Sequence, residues 1–220
     1  MPPRPLAFIM DLDGTLTRPI LDFDHIRRDL GLDPGRGILE QLDHIAGHQA
    51  ERAAELHQRL IQHELDAARR ARPNHGLHPL MECLNRRRIS MAVVTRNTRE
   101  HTRISLNAIG ISVHTIVTRE CAPPKPSPEP VLLACRRLNV PPQNAWMIGD
   151  WIDDARAGAA AGCAARILLT NGADLPHCPE ATHRVQSLYE VHALLEPAAA
   201  PTEARAESSP CRSADPPRSR

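Results

Sequence analysis

Aromatic side chains are nearly missing from this chain. Its 220 residues hold two Phe, two Trp and one Tyr. Stacking platforms for single-stranded nucleic acid need such rings. An excess of one charge sign is missing too: 27 basic and 26 acidic residues leave a formal net charge of +1. Without a global basic field, nothing draws a polyanion to the surface. No nucleic-acid partner is therefore expected. No apolar run approaches the roughly 18 residues of a membrane helix, so no membrane partner is expected either. The stretch Leu6 to Met10 is too short for a secretory leader and runs straight into Asp11 and Asp13. The six Cys show neither CxxC spacing nor clustering. This argues against a disulfide framework or zinc site and fits a reducing, cytoplasmic setting. Lysine is the last scarcity: it occurs once, at Lys125, and every other basic residue is Arg. A GC-rich coding bias accounts for the Arg excess; still, a compact ammonium and a planar guanidinium are not interchangeable, and the single Lys is a candidate for a position that needs the former.

What is present is a rhythm of short apolar runs. Leu6 to Met10 ends at Asp11-Leu12-Asp13-Gly14, Ile89 to Val94 at Thr95, and His114 to Val117 at Thr118. Ala145 to Ile148 ends at Gly149-Asp150, and Ala164 to Leu169 at Thr170. These read as buried strands. Between them, helical periodicity covers about 77–88, 98–109, 128–139, 152–161 and 187–195. Pro128 and Pro130 suit a first helical turn, and Gly110 and Gly162 suit helix ends. Strand alternating with helix predicts an α/β fold, a doubly wound Rossmann-like parallel sheet. From about Pro19 to Asn74 the strands stop. Leu21 to Leu30, Ile38 to Ala46 and Gln49 to Ala71 read as helices, the last with an apolar stripe of Leu56, Leu60 and Leu65. The expected organisation is a core of 1–17 and 76–196, a small all-helical cap of 18–75 inserted after the first strand, and a disordered tail of 197–220 rich in Ala, Pro, Ser, Glu and Arg.

Ligands bind at the C-terminal strand edge of such sheets. The strand ends deliver Asp11, Asp13, Thr95, Asp150 and Asp154 there, and a Pro-rich loop delivers Lys125. Converging carboxylates repel one another, and a hard cation with oxygen ligands relieves this; with phosphate present, Mg²⁺ is the usual one. A lysine and a threonine hydroxyl add a point charge and a hydrogen bond for a phosphoryl group. The composite is an Mg²⁺-assisted phosphoryl site. His44/His48 and His75/His78 have helix-face spacing, but two ligands do not make a metal site. Arg18, His25, Arg27 and Arg28 read either as contacts to an anionic substrate or as exposed helix charges.

These residues also carry a family resemblance. Asp11-Leu12-Asp13-Gly14-Thr15-Leu16-Thr17 resembles the first motif of the haloacid dehalogenase-like superfamily. Thr95 resembles the second, and Lys125 in Pro123-Pro124-Lys125-Pro126-Ser127-Pro128 the third. Gly149-Asp150-Trp151-Ile152-Asp153-Asp154 resembles the fourth. The helical insertion is similar to that of the branch with phosphoglycolate phosphatase and β-phosphoglucomutase. The resemblance implies Asp11 as nucleophile, Asp13 as general acid/base, and Thr95 and Lys125 as phosphate-binding; Arg96 and Asn97, just after Thr95 in the chain, are expected to add to the phosphate pocket. Asp11, Asp150 and the Asp13 carbonyl would hold Mg²⁺, while Asp154 orients Lys125 or a water. The implied activity is hydrolysis of a small phosphorylated metabolite, phosphoglycolate- or sugar-phosphate-like, through an aspartyl-phosphate, by a monomer or homodimer. The alternatives are a phosphomutase of the β-phosphoglucomutase type and a catalytically silent protein that binds a phosphometabolite or partner. Dehalogenases lack an acid at the position of Asp13. Phosphonatases need a cap lysine, and 18–75 has none.

Overall fold

The computed structural model describes residues 4–19 and 22–196. The expected tail and the first residue of the Leu21–Leu30 helix lie outside the described residues. Six strands form one sheet: β1 (Ala7–Met10), β2 (Ser90–Val94), β3 (Thr115–Val117), β4 (Ala145–Gly149), β5 (Ala165–Leu169) and β6 (His183–Val185). Their order is β3-β2-β1-β4-β5-β6, and every neighbouring pair is parallel. β1 is thus central, and all four of its side chains are buried. A parallel strand covered on both faces needs apolar residues at every position, which is what Ala7-Phe8-Ile9-Met10 supplies.

Alternate residues of the strands feed two cores. Phe8, Met10, Val93, Trp146 and Ile148 face one way and pack with Leu80 and Leu84 of α4 (Leu77–Arg86) and Leu188 and Val191 of α8 (Leu188–Leu195). Phe8 and Trp146 stack at 5.5 Å between ring centroids. Ala7, Ile9, Ala92, Val94 and Met147 face the other way, toward α6 (Glu129–Leu138) and α7 (Ile152–Ala161). Small residues dominate that second layer, so the helices approach the sheet closely.

Three further helices follow β1: α1 (Phe23–Leu30), α2 (Ile38–Ala46) and α3 (Ala50–Arg69). They share a separate apolar cluster of Ile26, Leu30, Ile38, Leu42, Leu56 and Leu60. Asp22 caps α1 by accepting a hydrogen bond from the His25 backbone N–H at 2.8 Å. The chain enters and leaves this insert side by side. Arg18 N–H donates to the Arg72 carbonyl and Asn74 N–H to that of Leu16, both at 2.9 Å. α3 packs along α5 (Arg99–Ala108), the helix that follows β2.

Two details depart from the sequence reading. The buried stripe of α3 runs through Ala53, Leu56, Leu60 and then Glu64, not Leu65, which is half-buried. At 3.6 residues per turn, a residue five positions beyond Leu60 lies about 140° round the helix, whereas four positions beyond lies about 40° away. The strand β6 has no apolar run to announce it. His183-Arg184-Val185 buries only Val185, and main-chain pairing to the free edge of β5 makes it a strand. Among the described residues, no helix is long and apolar enough to cross a membrane. Cys83, Cys121, Cys135, Cys163 and Cys178 are unpaired thiols.

Candidate active site

Register assembles the site. Met10 is paired with Val93 on one side and Ile148 on the other. The residues just beyond, Asp11, Thr95 and Asp150, therefore leave the sheet together at its C-terminal edge. Asp11 is fixed there by its own N–H, which donates to the Ile148 carbonyl at 2.9 Å. The chain then makes one wide turn over Leu12–Leu16, closed by Thr17 N–H donating to the Leu12 carbonyl at 2.9 Å. Gly14 sits at φ +78°, and a Cβ there would lie 2.0 Å from an oxygen of Asp150. Both the left-handed conformation and the close approach require glycine. Gly149 is similarly constrained, since a Cβ would meet the Asp154 carboxyl carbon at 2.1 Å.

Lys125 lies at the centre. Its Nζ is 2.5 Å from Asp11 Oδ1 and 2.5 Å from Asp154 Oδ1, and it donates to the Val94 carbonyl at 3.0 Å. Burial works against its charge, but the two carboxylates outweigh burial and hold the ammonium protonated above the usual lysine range. The peptide bond from Lys125 to Pro126 is cis. Arg96 ties this loop down, donating to the Lys125 carbonyl and to Asp153 Oδ2, the latter at 2.7 Å. Asp154 is in turn held by the Trp151 N–H at 3.0 Å.

Asp13 projects beside this cluster and accepts a hydrogen bond from Asn97 Nδ2 at 2.6 Å. Burial, then the charge of Asp11, push its pKa from 3.8 to about 7, against the Asn97 hydrogen bond; the charge of Glu64 adds to the rise. Burial raises that of Asp11 to about 6, with Lys125 opposing and Asp154 assisting. Asp13 is thus a carboxyl that can carry a proton near neutrality, which is the property a general acid needs. The Thr95 hydroxyl accepts from the Asn97 N–H at 3.1 Å.

The donor set also fits a hard cation. Asp11, Asp150 and Asp154 each place a carboxylate oxygen within 4.8 Å of the others. Burial and the charges of Asp11 and Asp154 push the Asp150 pKa well above its ordinary value. A divalent ion relieves that repulsion, and carboxylate oxygens are what Mg²⁺ takes. His44 and His48 meet edge-on at 5.4 Å, and His75 precedes α4, so it does not share a helix face with His78. A second group of potential ligands, Cys83, His192 and Glu196, joins α4 to α8; there Glu196 is paired with Arg87 at 2.8 Å. Of the basic residues near the insert's start, Arg18 donates to the Pro73 carbonyl and Arg27 to Asp24.

Sequence reasoning overlooked the residues that hold the first turn. Asn74 Nδ2 donates to the Gly14 and Thr15 carbonyls at 2.9 and 3.0 Å, and Asn171 Nδ2 donates to the Gly14 carbonyl at 2.7 Å. Both lie far from residue 14 in the chain, and no local pattern links them to it. It also overlooked Glu64, Arg119 and His101, which meet at the junction of the insert and the core.

Comparison with known proteins bears on family and fold. The chain is 33% identical over 171 residues to an uncharacterised hydrolase of Saccharomyces cerevisiae, spanning 75% of this chain and 77% of the relative. It is 26% identical over 187 residues to a phosphoglycolate phosphatase of Thiobacillus denitrificans, spanning 73% and 82%. A hydrolase of Pseudomonas syringae with a solved structure has the same fold, with a TM-score of 0.70 at 20% identity over 86% of this chain and 99% of that one. Residues 5–162 match the model of the haloacid dehalogenase-like hydrolases, and the chain is a member of that enzyme family.

Proposed function

We propose that the chain is an Mg²⁺-dependent phosphatase of a small phosphomonoester, phosphoglycolate- or sugar-phosphate-like, acting through a phosphoryl group carried on Asp11. The observation that carries this reading is one pair of neighbouring buried carboxyls with different partners. Asp11 is held against Lys125 at 2.5 Å, while Asp13 sits 2.6 Å from Asn97 with its pKa pushed up to about 7. A carboxyl held on a lysine ammonium beside one held on a neutral amide supports a nucleophile and an acid.

In the first step a carboxylate oxygen of Asp11 attacks phosphorus, and the bond from phosphorus to the ester oxygen breaks. Asp13 gives its proton to the departing alkoxide. In the second step Asp13 takes a proton from water, whose oxygen attacks the same phosphorus. The bond to Asp11 then breaks and inorganic phosphate leaves. Lys125, the Thr95 hydroxyl and Asn97 face the transferring group and offset its charge. Arg96 serves by pinning the Lys125 loop. Mg²⁺, held by Asp11, Asp150 and the Asp13 carbonyl, would supply positive charge opposite the phosphoryl oxygens. The phosphoglycolate phosphatase relative supports the substrate class.

The test is phosphate release from a panel of esters: phosphoglycolate, sugar phosphates, nucleoside monophosphates and an aryl phosphate. Each is run with Mg²⁺, with chelator, and with Asp11→Asn. Release that requires both Mg²⁺ and Asp11 is expected, with the variant melting close to the parent. Turnover by Asp11→Asn would remove Asp11 as nucleophile. Phosphorylated Asp11 with no phosphate released would instead favour a mutase.

A further inference from the structure

Among the described residues of the insert, Glu64 is the one charged residue that is buried. It lies on α3 at 8% exposure, beside His101 on α5 at 3%. A carboxylate so placed is costly unless it is fully paired. The core supplies the pairing. Arg119, just after β3, donates from both terminal nitrogens, at 2.8 Å to Glu64 Oε1 and 3.1 Å to Oε2. His101 Nδ1 is 3.2 Å from Oε2. A two-pronged guanidinium–carboxylate pair is directional as well as strong.

Arg119 does more than receive the insert. Its guanidinium also donates to the Arg96 carbonyl at 3.3 Å, and its backbone N–H donates to the Asn97 carbonyl at 3.3 Å. Asn97 then donates to Asp13 at 2.6 Å. A continuous polar chain thus runs from α3 through Glu64, Arg119 and the 96–97 backbone to the carboxyl of Asp13.

We propose that Glu64 is a positioning residue: seated on Arg119, it holds the 96–97 turn that orients Asp13. Without the Glu64 carboxylate, Arg119 loses its anchor, the 96–97 turn loosens, and Asn97 no longer fixes Asp13. This rests on the phosphatase reading for its consequence in turnover, while the structural link does not.

The experiment compares the parent with Glu64→Gln and with Arg119→Lys, which keeps the charge but not the fork. First, kcat/KM is measured for an alkyl phosphate and for p-nitrophenyl phosphate. The alkyl leaving group needs the proton of Asp13 and the nitrophenolate needs it far less. A fall of about 10- to 100-fold for the alkyl ester, with under about threefold for the aryl ester, is expected in both variants, and Arg119→Lys, which leaves the Glu64 charge in place, ties the split to general-acid alignment. An equal fall for both esters, or none, would overturn the proposal. Second, amide hydrogen exchange is followed at Asn97 and Arg119 without substrate. Faster exchange in the variants is expected; unchanged protection would overturn the proposal whether or not the chain hydrolyses phosphate esters. If neither ester is turned over by the parent, the phosphatase reading fails and the exchange result alone decides. Should Glu64→Gln fail to fold, Arg119→Lys carries both measurements.

Discussion

Lys125 meets three oxygen acceptors, from Asp11, Asp154 and the Val94 carbonyl, in a pocket that closes around a single nitrogen. A guanidinium is planar and wider, and cannot replace that point contact. Lys125→Arg is therefore expected to lower kcat by at least about 100-fold, the scale seen when a preorganised charge-stabilising group is lost. The variant should keep its folded circular dichroism spectrum. Near-parental turnover would show that charge alone suffices there. The one lysine in an arginine-rich chain pointed to this position before any geometry was known. Glu64 was not legible in the same way. It reads as an ordinary exposed helix acid until the turn of α3 brings it onto the buried stripe.

At the scale of elements, the turn Leu12–Leu16 is held less by its own residues than by partners from distant loops. Asn74 reaches the Gly14 and Thr15 carbonyls and the Asn171 side chain, and its own Oδ1 accepts from the His75 N–H at 2.8 Å. Asn74→Ala would strand buried carbonyls, and losing buried partners costs about 1–3 kcal/mol per group. Destabilisation of about 2–4 kcal/mol in denaturant titration is expected, with turnover reduced at least about tenfold because Gly14 carries Asp13 on one side and abuts Asp150 on the other. Unchanged stability would show that Asn171 alone secures the turn. Most elements were readable from pattern. α2 and α7 match their predicted bounds, and β1, β2, β4 and β5 each lie within a residue of theirs. β6 was not readable, because edge pairing selected it and side-chain pattern did not.

For the whole molecule, the site is a reservoir of unfavourable charge that couples folding to pH. Asp11 and Asp13 rise from 3.8 to about 6 and about 7 on folding. Between those limits the native state binds protons that the unfolded chain has released. Their contribution to stability is present at low pH and is lost as pH rises through about 6 to 7. In chelator, the melting temperature is expected to fall by several degrees between about pH 5.5 and about pH 8. A divalent ion held by these groups would take their ionised form, so added Mg²⁺ is expected to raise the melting temperature most at the upper end of that range. A metal-free melting temperature that climbs across the interval would contradict the raised carboxyl pKa values.

The sequence by itself determined the α/β class, the helical insert after the first strand, and the cast of polar residues at strand ends. Apolar periodicity and strand-end chemistry are local properties that neighbouring residues express without help. Only the tertiary structure decided how those residues are joined. The pairing of Lys125 with both Asp11 and Asp154, the clamp of Asn74 and Asn171 on Gly14, and the seat of Glu64 on Arg119 link positions 29 to 157 residues apart. Such contacts depend on which loops the parallel sheet brings to one edge, and strand order is set by packing the whole chain, not by any segment of it.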